Sequence, residues 1–250
     1  MTESFDDDQF AAHGDSYDTS EQWPLRQHCE APSLLTAAGD LTGLSVLDAG
    51  CGSGFYLRRF ARMGASRLIG LDPSEGMLEV ARARAAAAGL DITFARTGLS
   101  QAGRFGPVDL VTAVYVLPYA ESLHDLGDMC LGAARALRPG GRFVAAAFNP
   151  GCATDPEWYR PYGFTIETTN EDRDGVPAVL TSHLFDPPLR VTGYRWSAES
   201  HETALGEAGF DEIKWVAPRP TAAGIAEHGL GFWEPYTTCP HSLIITARRS

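Results

Sequence analysis

Residues 46–54, V-L-D-A-G-C-G-S-G, limit how this chain can fold more than any other segment. An apolar run leads into three glycines with G-x-G-x-G spacing, and a helical pattern follows at residues 55–63. Glycines at a turn from a strand to a helix let the backbone bend tightly and approach a ligand that a Cβ atom would exclude. The helix presents free N–H groups and the positive end of its dipole to that ligand. The segment therefore predicts an α/β fold whose first turn binds a nucleotide-like molecule.

The rest of the chain up to residue 148 supports this fold class, because short apolar runs alternate with helical patterns. The apolar runs predict strands at 44–47, 67–71, 92–95, 108–116 and 142–148. The intervening patterns predict helices at 32–38, 55–63, 74–88 and 123–137. Such alternation indicates right-handed crossover units and a parallel sheet that is covered by helices on both faces.

The pattern changes after Asn149. Three β-rich runs, at 164–169, 179–185 and 189–196, occur without helices between them, and Asp186-Pro187-Pro188 separates the last two. They predict an insertion of antiparallel character. A helix at 198–208 and strands at 212–216 and 242–248 are expected to complete the fold.

Composition excludes several classes of function. The formal net charge of −12 disfavours nucleic-acid partners, because such binding depends on Lys and Arg neutralising phosphates. The five cysteines are widely spread and form no C-x-x-C pair or Cys/His motif, so no metal site is predicted and the thiols are expected to be reduced. The acidic N-terminus lacks the basic flank of a signal peptide, and no stretch is apolar enough to span a membrane. These features predict a soluble cytoplasmic protein without a membrane partner.

Asp72, in G-L-D-P-S after the second predicted strand, narrows the choice of ligand. A carboxylate there can accept hydrogen bonds from both hydroxyls of a ribose, although a cap of the next helix is an alternative role. A nicotinamide dinucleotide would require G-x-G-x-x-G, and Phe55 stands where that pattern needs its third glycine. The spacing therefore favours an adenosyl group over a dinucleotide.

Four motifs together resemble the class I S-adenosylmethionine-dependent methyltransferases over residues 44–148. They are V-L-D-A-G-C-G-S-G, G-L-D-P-S-E-G-M-L-E-V-A-R, D-L-V-T-A-V-Y-V-L-P-Y-A and A-L-R-P-G-G-R-F-V. The resemblance implies a Rossmann-like, seven-stranded, mostly parallel sheet whose last strand, 242–248, runs antiparallel. Outside this core, segments around Tyr17, Tyr159 and Gly231 resemble bacterial small-molecule methyltransferases, including the toxoflavin-biosynthesis N-methyltransferases.

The resemblance assigns S-adenosylmethionine as cofactor and implies roles for individual residues. Asp48 is expected to orient the methionine ammonium, Asp72 to take the ribose hydroxyls, and Pro73 and Met77 to flank the adenine. The family's usual Asp after the third strand is absent, because Arg96-Thr97-Gly98-Leu99 stands there. The remaining predicted cofactor residues are Tyr17, Arg26, Ala49, Gly50, Cys51, Gly52, Gly54, Gly98, Leu99, Val114, Tyr115 and Tyr119.

The acceptor side is predicted from aromatic and polar residues outside the core. Tyr17 and Arg26 lie in a segment expected to fold over the cofactor, where a Tyr can face the sulfonium and an Arg can hold a carboxylate. Candidate catalytic residues are Tyr17, Tyr119 and His124, with His28 a further candidate base, although methyl transfer can also proceed by alignment alone. The predicted substrate residues are Asn149 and five aromatics, each of which could instead be core: Trp23, Tyr162, Trp196, Phe232 and Trp233.

The leading hypothesis is N- or O-methylation of a planar heterocyclic or aromatic natural-product intermediate by a monomer or homodimer. C-methylation of a quinone-like acceptor, a non-catalytic cofactor-binding module and a nicotinamide-dependent oxidoreductase are the alternatives. We expect residues 1–15 to be a mobile tail before a single domain, 16–250. Within it, the expected parts are a lid at 16–43, a cofactor-binding core at 44–149, a substrate-covering insertion at 150–196 and the rest of the sheet at 197–250.

Overall fold

A seven-stranded sheet forms the centre of the protein in the computed structural model, which describes residues 22–169 and 173–250. Its strands are β1 (Ser45–Ala49), β2 (Arg67–Asp72), β3 (Thr93–Arg96), β4 (Val108–Val114), β5 (Leu137–Phe148), β9 (Phe210–Val216) and β10 (Ser242–Arg249). The strand order is β3-β2-β1-β4-β5-β10-β9. The pairs formed among β1 to β5 are parallel, whereas β10 runs antiparallel to both β5 and β9. The carboxyl ends of β1 to β5 therefore lie along one edge.

Helices cover both faces of this sheet. They are α1 (Ala31–Ala38), α2 (Phe55–Arg62), α3 (Glu75–Ala87), α4 (Leu123–Ala136), α5 (Ala198–Glu207), α6 (Ala222–His228) and α7 (Leu230–Thr238). Apolar residues of α1, α2 and α3 pack into one core cluster, and those of α4 and α5 pack into another. β1 contributes to both clusters, Val46 to the first and Leu47 to the second, because neighbouring strand residues point to opposite faces.

Short polar side chains and glycines define where several helices begin and end. Ser74 caps α3 by accepting a hydrogen bond from the Met77 amide at 3.3 Å, and Ser122 caps α4 through the Asp125 amide at 3.1 Å. Gly39 ends α1 with φ +70°, a backbone conformation that side chains disfavour. These signals explain why the predicted and observed helix ends differ by one residue at most.

A separate three-stranded antiparallel sheet is inserted after β5. It consists of β6 (Phe164–Glu167), β7 (Val176–Ser182) and β8 (Leu189–Arg195), in that order. A Cβ at Gly193 on β8 would lie 3.0 Å from the Phe148 ring and 3.2 Å from Pro118, so β8 packs closely over the ends of β4 and β5. The insertion thus lies above the edge at which the parallel strands end.

The predicted fold class is confirmed, including the antiparallel insertion and the antiparallel last strand. Sequence reasoning missed α6, α7 and a π-helical turn at Arg26–Glu30. The glycine before α7 and Pro235 inside it resemble loop signals, and neither helix has a long apolar stripe. None of the helices within residues 22–169 and 173–250 combines the length and the hydropathy of a membrane span.

Candidate functional site

The glycine-rich turn joins β1 to α2 at the carboxyl edge of the sheet. Gly50, Gly52 and Gly54 have φ values of +63°, +51° and +78°, which L side chains rarely adopt. A Cβ at Gly50 would lie 2.5 Å from Val116, so this glycine is required by packing. A Cβ at Gly52 would meet no atom within 4 Å, so this part of the turn faces open space. The turn therefore has the bare backbone and the free volume that a closely bound ligand needs.

Asp72 ends β2 beside this turn and organises it. One carboxylate oxygen accepts the Gly52 amide at 2.8 Å and the other accepts the Ser74 amide at 2.9 Å. The carboxylate therefore anchors the backbone of the turn and of Ser74, while the cap of α3 is the Ser74 side chain. A carboxylate offers about four acceptor positions, and these two amides take two of them.

Asp48 is buried at the end of β1 and accepts a hydrogen bond from Thr112 Oγ1 at 2.6 Å. Burial raises its pKa to about 7, the Thr112 hydroxyl opposes this rise, and the negative charge of Asp72 adds to it. An ionised Asp48 therefore lacks a compensating cation among the described contacts of its carboxylate. A bound ammonium group would supply one.

The other predicted cofactor residues differ in burial and in their position around the turn. Cys51 and Leu99 are buried, and burial raises the pKa of the Cys51 thiol far above its ordinary value. Met77 is buried on α3, whereas Pro73 is exposed after β2. Gly98 has open space where a Cβ would stand. Ala49, Gly50 and Gly54 belong to the strand end and the turn, and Val114 and Tyr115 lie at the end of β4.

Tyr115 has a strained backbone, with φ +57° in a residue that is not glycine. Such a conformation costs about 1 to 2 kcal/mol and persists where surrounding contacts hold it. The Tyr115 hydroxyl donates to the Glu30 carboxylate and lies 3.0 Å from both His241 Nε2 and Ser242 Oγ. Tyr236 approaches His241 Nδ1 at 3.1 Å. We call these five side chains the polar cluster.

A cavity of about 140 Å³, here the main cavity, lies between the Arg26–Glu30 turn, the ends of β4 and β5, and the inserted sheet. Its volume resembles the roughly 150 Å³ of an engineered cavity that binds benzene. Glu30, Tyr115 and His241 of the polar cluster form part of its wall. The apolar and aromatic lining residues are Trp23, Leu25, Pro118, Tyr119, Phe148, Tyr162, Phe164, Leu180, Phe185, Leu189 and Val191.

Aromatic contacts join the two sides of the main cavity. The rings of Trp23 and Phe185 meet edge to face at 5.3 Å, which connects the N-terminal segment to the insertion. The Arg26 guanidinium lies 5.5 Å from the centre of the Phe55 ring, at the start of α2. Arg26 therefore stands between the main cavity and the helix that follows the glycine turn.

The structure brings some predicted acceptor-side residues together and separates others. Trp23, Tyr119 and Tyr162 line the main cavity. Trp196, Phe232 and Trp233 do not; the Trp196 and Trp233 indoles are buried and donate to the Ala120 and Gly224 carbonyls. These three aromatics therefore contribute to the core, the alternative considered for each.

The predicted polar candidates have other positions. Both polar atoms of the Asn149 amide bind backbone, since Nδ2 donates to Pro240 and Oδ1 accepts from Gly151. His124 is exposed at the start of α4, 3.7 Å from Asp128. Neither lines the main cavity. Tyr17 lies outside the described residues.

Sequence reasoning missed Glu30, His241 and Ser242. Glu30 lies outside the motifs that predicted the site, and His241 comes just before the last strand. Their significance depends on the fold, which places the N-terminal turn beside β10. A weak signal existed in His241, because a histidine beside an apolar strand needs polar partners when it is buried.

One group of described residues could hold a metal ion, although no sequence motif predicts it. Potential ligand atoms of His28, Glu227 and His228 lie within 4.8 Å of one another. His28 Nε2 and Glu227 Oε2 are 3.2 Å apart, so these two also form an ion pair when the histidine is protonated. None of the three lines the main cavity.

Known proteins resemble this chain in sequence mainly over the segment that contains the glycine-rich turn and runs from β1 to β5. Residues 46–141 match a family model described as a methyltransferase domain. A ubiquinone biosynthesis O-methyltransferase from Methylobacterium sp. (strain 4-46) is 37% identical over 110 residues, 44% of this chain and 43% of that protein. A protein of the same name from Rhodopseudomonas palustris (strain BisB18) is 32% identical over 162 residues, 61% of this chain and 60% of that protein. The chain thus spans less than two thirds of the length of these relatives.

A solved structure extends the likeness to most of the chain. An S-adenosylmethionine-dependent methyltransferase from Mesorhizobium loti is 26% identical with a TM-score of 0.63, and the match covers 92% of this chain and 99% of that one. The chain has the Rossmann-like methyltransferase fold, and its residues 46–141 match the model of a methyltransferase domain.

Proposed function

We propose that this protein transfers the methyl group of S-adenosylmethionine to a nitrogen or oxygen of a small, planar, aromatic or heterocyclic acceptor. The observation that carries the proposal is the turn at Gly50–Gly54 beside Asp72, with open space over Gly52. In this proposal the Asp72 carboxylate receives the ribose hydroxyls and Asp48 faces the methionine ammonium. The backbone of the turn lies along the cofactor. S-adenosylmethionine supplies an electrophilic methyl group on a positively charged sulfur.

The main cavity supports a small acceptor. Its aromatic and apolar lining suits a flat ring, and few polar groups are available to orient it. The inserted sheet supplies part of this lining, which supports the expectation that residues 150–196 cover the substrate. The names of the ubiquinone biosynthesis relatives favour transfer to oxygen, while the motif resemblance to toxoflavin-biosynthesis enzymes favours nitrogen.

Calorimetric titration with S-adenosylmethionine tests the proposal. The wild type should bind it, and Asp72→Ala should weaken the affinity at least tenfold, because hydrogen bonds to a charged group contribute about 1.5 to 3 kcal/mol each. Asp91→Ala, which removes an exposed carboxylate, is the matched control and should bind as the wild type does. Melting curves check that each variant is folded. Absence of binding to the wild-type protein would refute the proposal.

A further inference from the structure

The polar cluster contains a carboxylate that the proposed cofactor site does not use. Glu30 lines the main cavity, and its side chain is 13% exposed. Its Oε1 atom accepts from the Tyr115 hydroxyl and lies 3.4 Å from His241 Nε2. Its Oε2 atom makes no hydrogen bond within the described part of the chain. One oxygen of this carboxylate is thus held in place and the other is available.

The hydrogen bonds of the cluster have one self-consistent arrangement. Tyr115 has a single hydroxyl proton; because it donates that proton to Glu30, His241 Nε2 and the Ser242 hydroxyl must be the donors in their contacts with Tyr115. His241 Nδ1 is then the acceptor for Tyr236. Burial lowers the pKa of His241, which is consistent with a neutral ring, while Glu30 opposes that change. The Tyr115 hydroxyl and His241 Nε2, the two donors beside Glu30, therefore both face its Oε1 atom.

We propose that Glu30 binds the O–H or N–H group at the reacting atom of the acceptor and takes up its proton during methyl transfer. This inference rests on the proposed function and narrows its substrate class. The acceptor would be neutral at the reacting atom, with a lone pair and a proton there, as a phenol, an enol or an amine has.

Methyl transfer to an O–H or N–H group releases a proton, and the lining of the main cavity indicates which residue can accept it. As the acceptor oxygen or nitrogen forms its bond to the methyl carbon, the carbon–sulfur bond breaks and its electron pair stays on sulfur. The acceptor's proton passes to Glu30 Oε2, and a neutral thioether and the methylated product remain. Among the described lining residues, Glu30 is the only carboxylate. Both ring nitrogens of His241 have partners, and the Tyr115 hydroxyl donates to Glu30 itself.

The groups around Glu30 would change little in charge near neutral pH. Burial raises the pKa values of the Cys29 thiol and of three tyrosine hydroxyls near Glu30 well above their ordinary range, and it lowers the pKa of the His241 ring. Arg26, on the same turn, stays cationic. These neighbouring titratable groups are Arg26, Cys29, Tyr56, Tyr115, Tyr236 and His241. A pH-dependent preference for a phenol over its phenolate would therefore reflect the charge of Glu30 and the ionisation of the phenol, and not a change in these neighbours.

The test uses 4-nitrophenol, whose absorbance distinguishes the phenol from the phenolate, with the protein saturated by S-adenosylhomocysteine. The wild type should bind the neutral form, so binding should weaken as rising pH ionises the probe. In Glu30→Gln the preference for the neutral form should fall at least tenfold, because the repulsion of the phenolate is removed and the charge-assisted hydrogen bond is lost. Glu30→Asp retains the charge and should keep part of the preference.

Controls separate this inference from the proposed function. Glu207→Gln, the same change on an exposed helical carboxylate, should behave as the wild type. S-adenosylhomocysteine affinity and the melting temperature show whether Glu30→Gln is folded. If S-adenosylhomocysteine binds and the wild type ignores 4-nitrophenol, or Glu30→Gln keeps the wild-type preference, the role of Glu30 is overturned alone. If S-adenosylhomocysteine does not bind the wild type, the proposed function fails.

Discussion

Asparagine in place of Asp48 should stabilise the protein, by an amount that grows as the pH rises. The Asp48 carboxyl is buried, and its hydrogen bond from Thr112 is made to Oδ1, an atom that asparagine keeps. The substitution therefore removes a buried negative charge while preserving the shape and the hydrogen bond. It also removes the repulsion between Asp48 and Asp72.

The magnitude follows from the pKa of Asp48, which lies at about 7 against an ordinary value of 3.8. Below pH 3.8 both the folded and the unfolded states are protonated at this residue, and it has no effect on stability. Between pH 3.8 and 7 the unfolded state ionises first, so the folded state loses stability as the pH rises. At about 1.4 kcal/mol per pKa unit, the loss reaches about 4 kcal/mol above pH 7.

Urea denaturation at pH 5 and pH 8 measures this effect. Asp48→Asn should exceed the wild type in free energy of unfolding by about 4 kcal/mol at pH 8 and by roughly 2 kcal/mol at pH 5. Asp91→Asn, an exposed control, should show little change at either pH. Equal stabilisation by Asp48→Asn at both pH values would refute the argument. The same variant should bind S-adenosylmethionine more weakly, because it cannot pair with the ammonium.

Two further predictions concern glycines. Gly52→Ala should cost about 1 to 2 kcal/mol of stability because of the positive φ at this position. Its methyl group should also enter the open space over the turn and weaken S-adenosylhomocysteine binding at least tenfold. Unchanged affinity in a calorimetric titration would contradict the binding prediction. On α4, a Cβ at Gly132 would lie 2.2 Å from the Leu99 carbonyl oxygen, whereas one at Gly127 would meet nothing within 4 Å. Gly132→Ala should therefore destabilise by about 1 to 3 kcal/mol and Gly127→Ala should stabilise by about 0.5 to 1 kcal/mol, and changes of the same sign in urea denaturation would show the packing argument to be wrong.

The fold was largely predictable because its signals are local. Apolar runs, the serine caps at Ser74 and Ser122, and glycines such as Gly39 act within a few residues. They therefore appear in the sequence as clearly as in the structure. The helices α6 and α7 were missed because long-range packing supports them: Trp233, for example, is buried against the Gly224 carbonyl and Tyr162.

Only the residues of the candidate site that lie close together in the sequence could be predicted, because local signals reveal them and long-range contacts do not. The turn and Asp72 come from one strand–turn–helix–strand unit, so spacing alone indicated them. Glu30 and His241 are brought together by the fold, and the sequence marks His241 only weakly and Glu30 not at all. Aromatic character alone did not identify the cavity residues, since Tyr162 and Trp196 are both buried in core clusters and of these two only Tyr162 also lines the main cavity.

The polar cluster also has a consequence for the order in which this protein assembles. It joins Glu30 near the N-terminal end of the described chain to Tyr115 in the middle and His241 close to the C-terminal end. Contacts between such distant residues form late, because a long loop must close before they contribute. During synthesis the β1–β5 units can form while the last strand is still absent. We therefore expect the glycine turn to exist before the wall of the main cavity does, and the final residues of the chain to complete that wall.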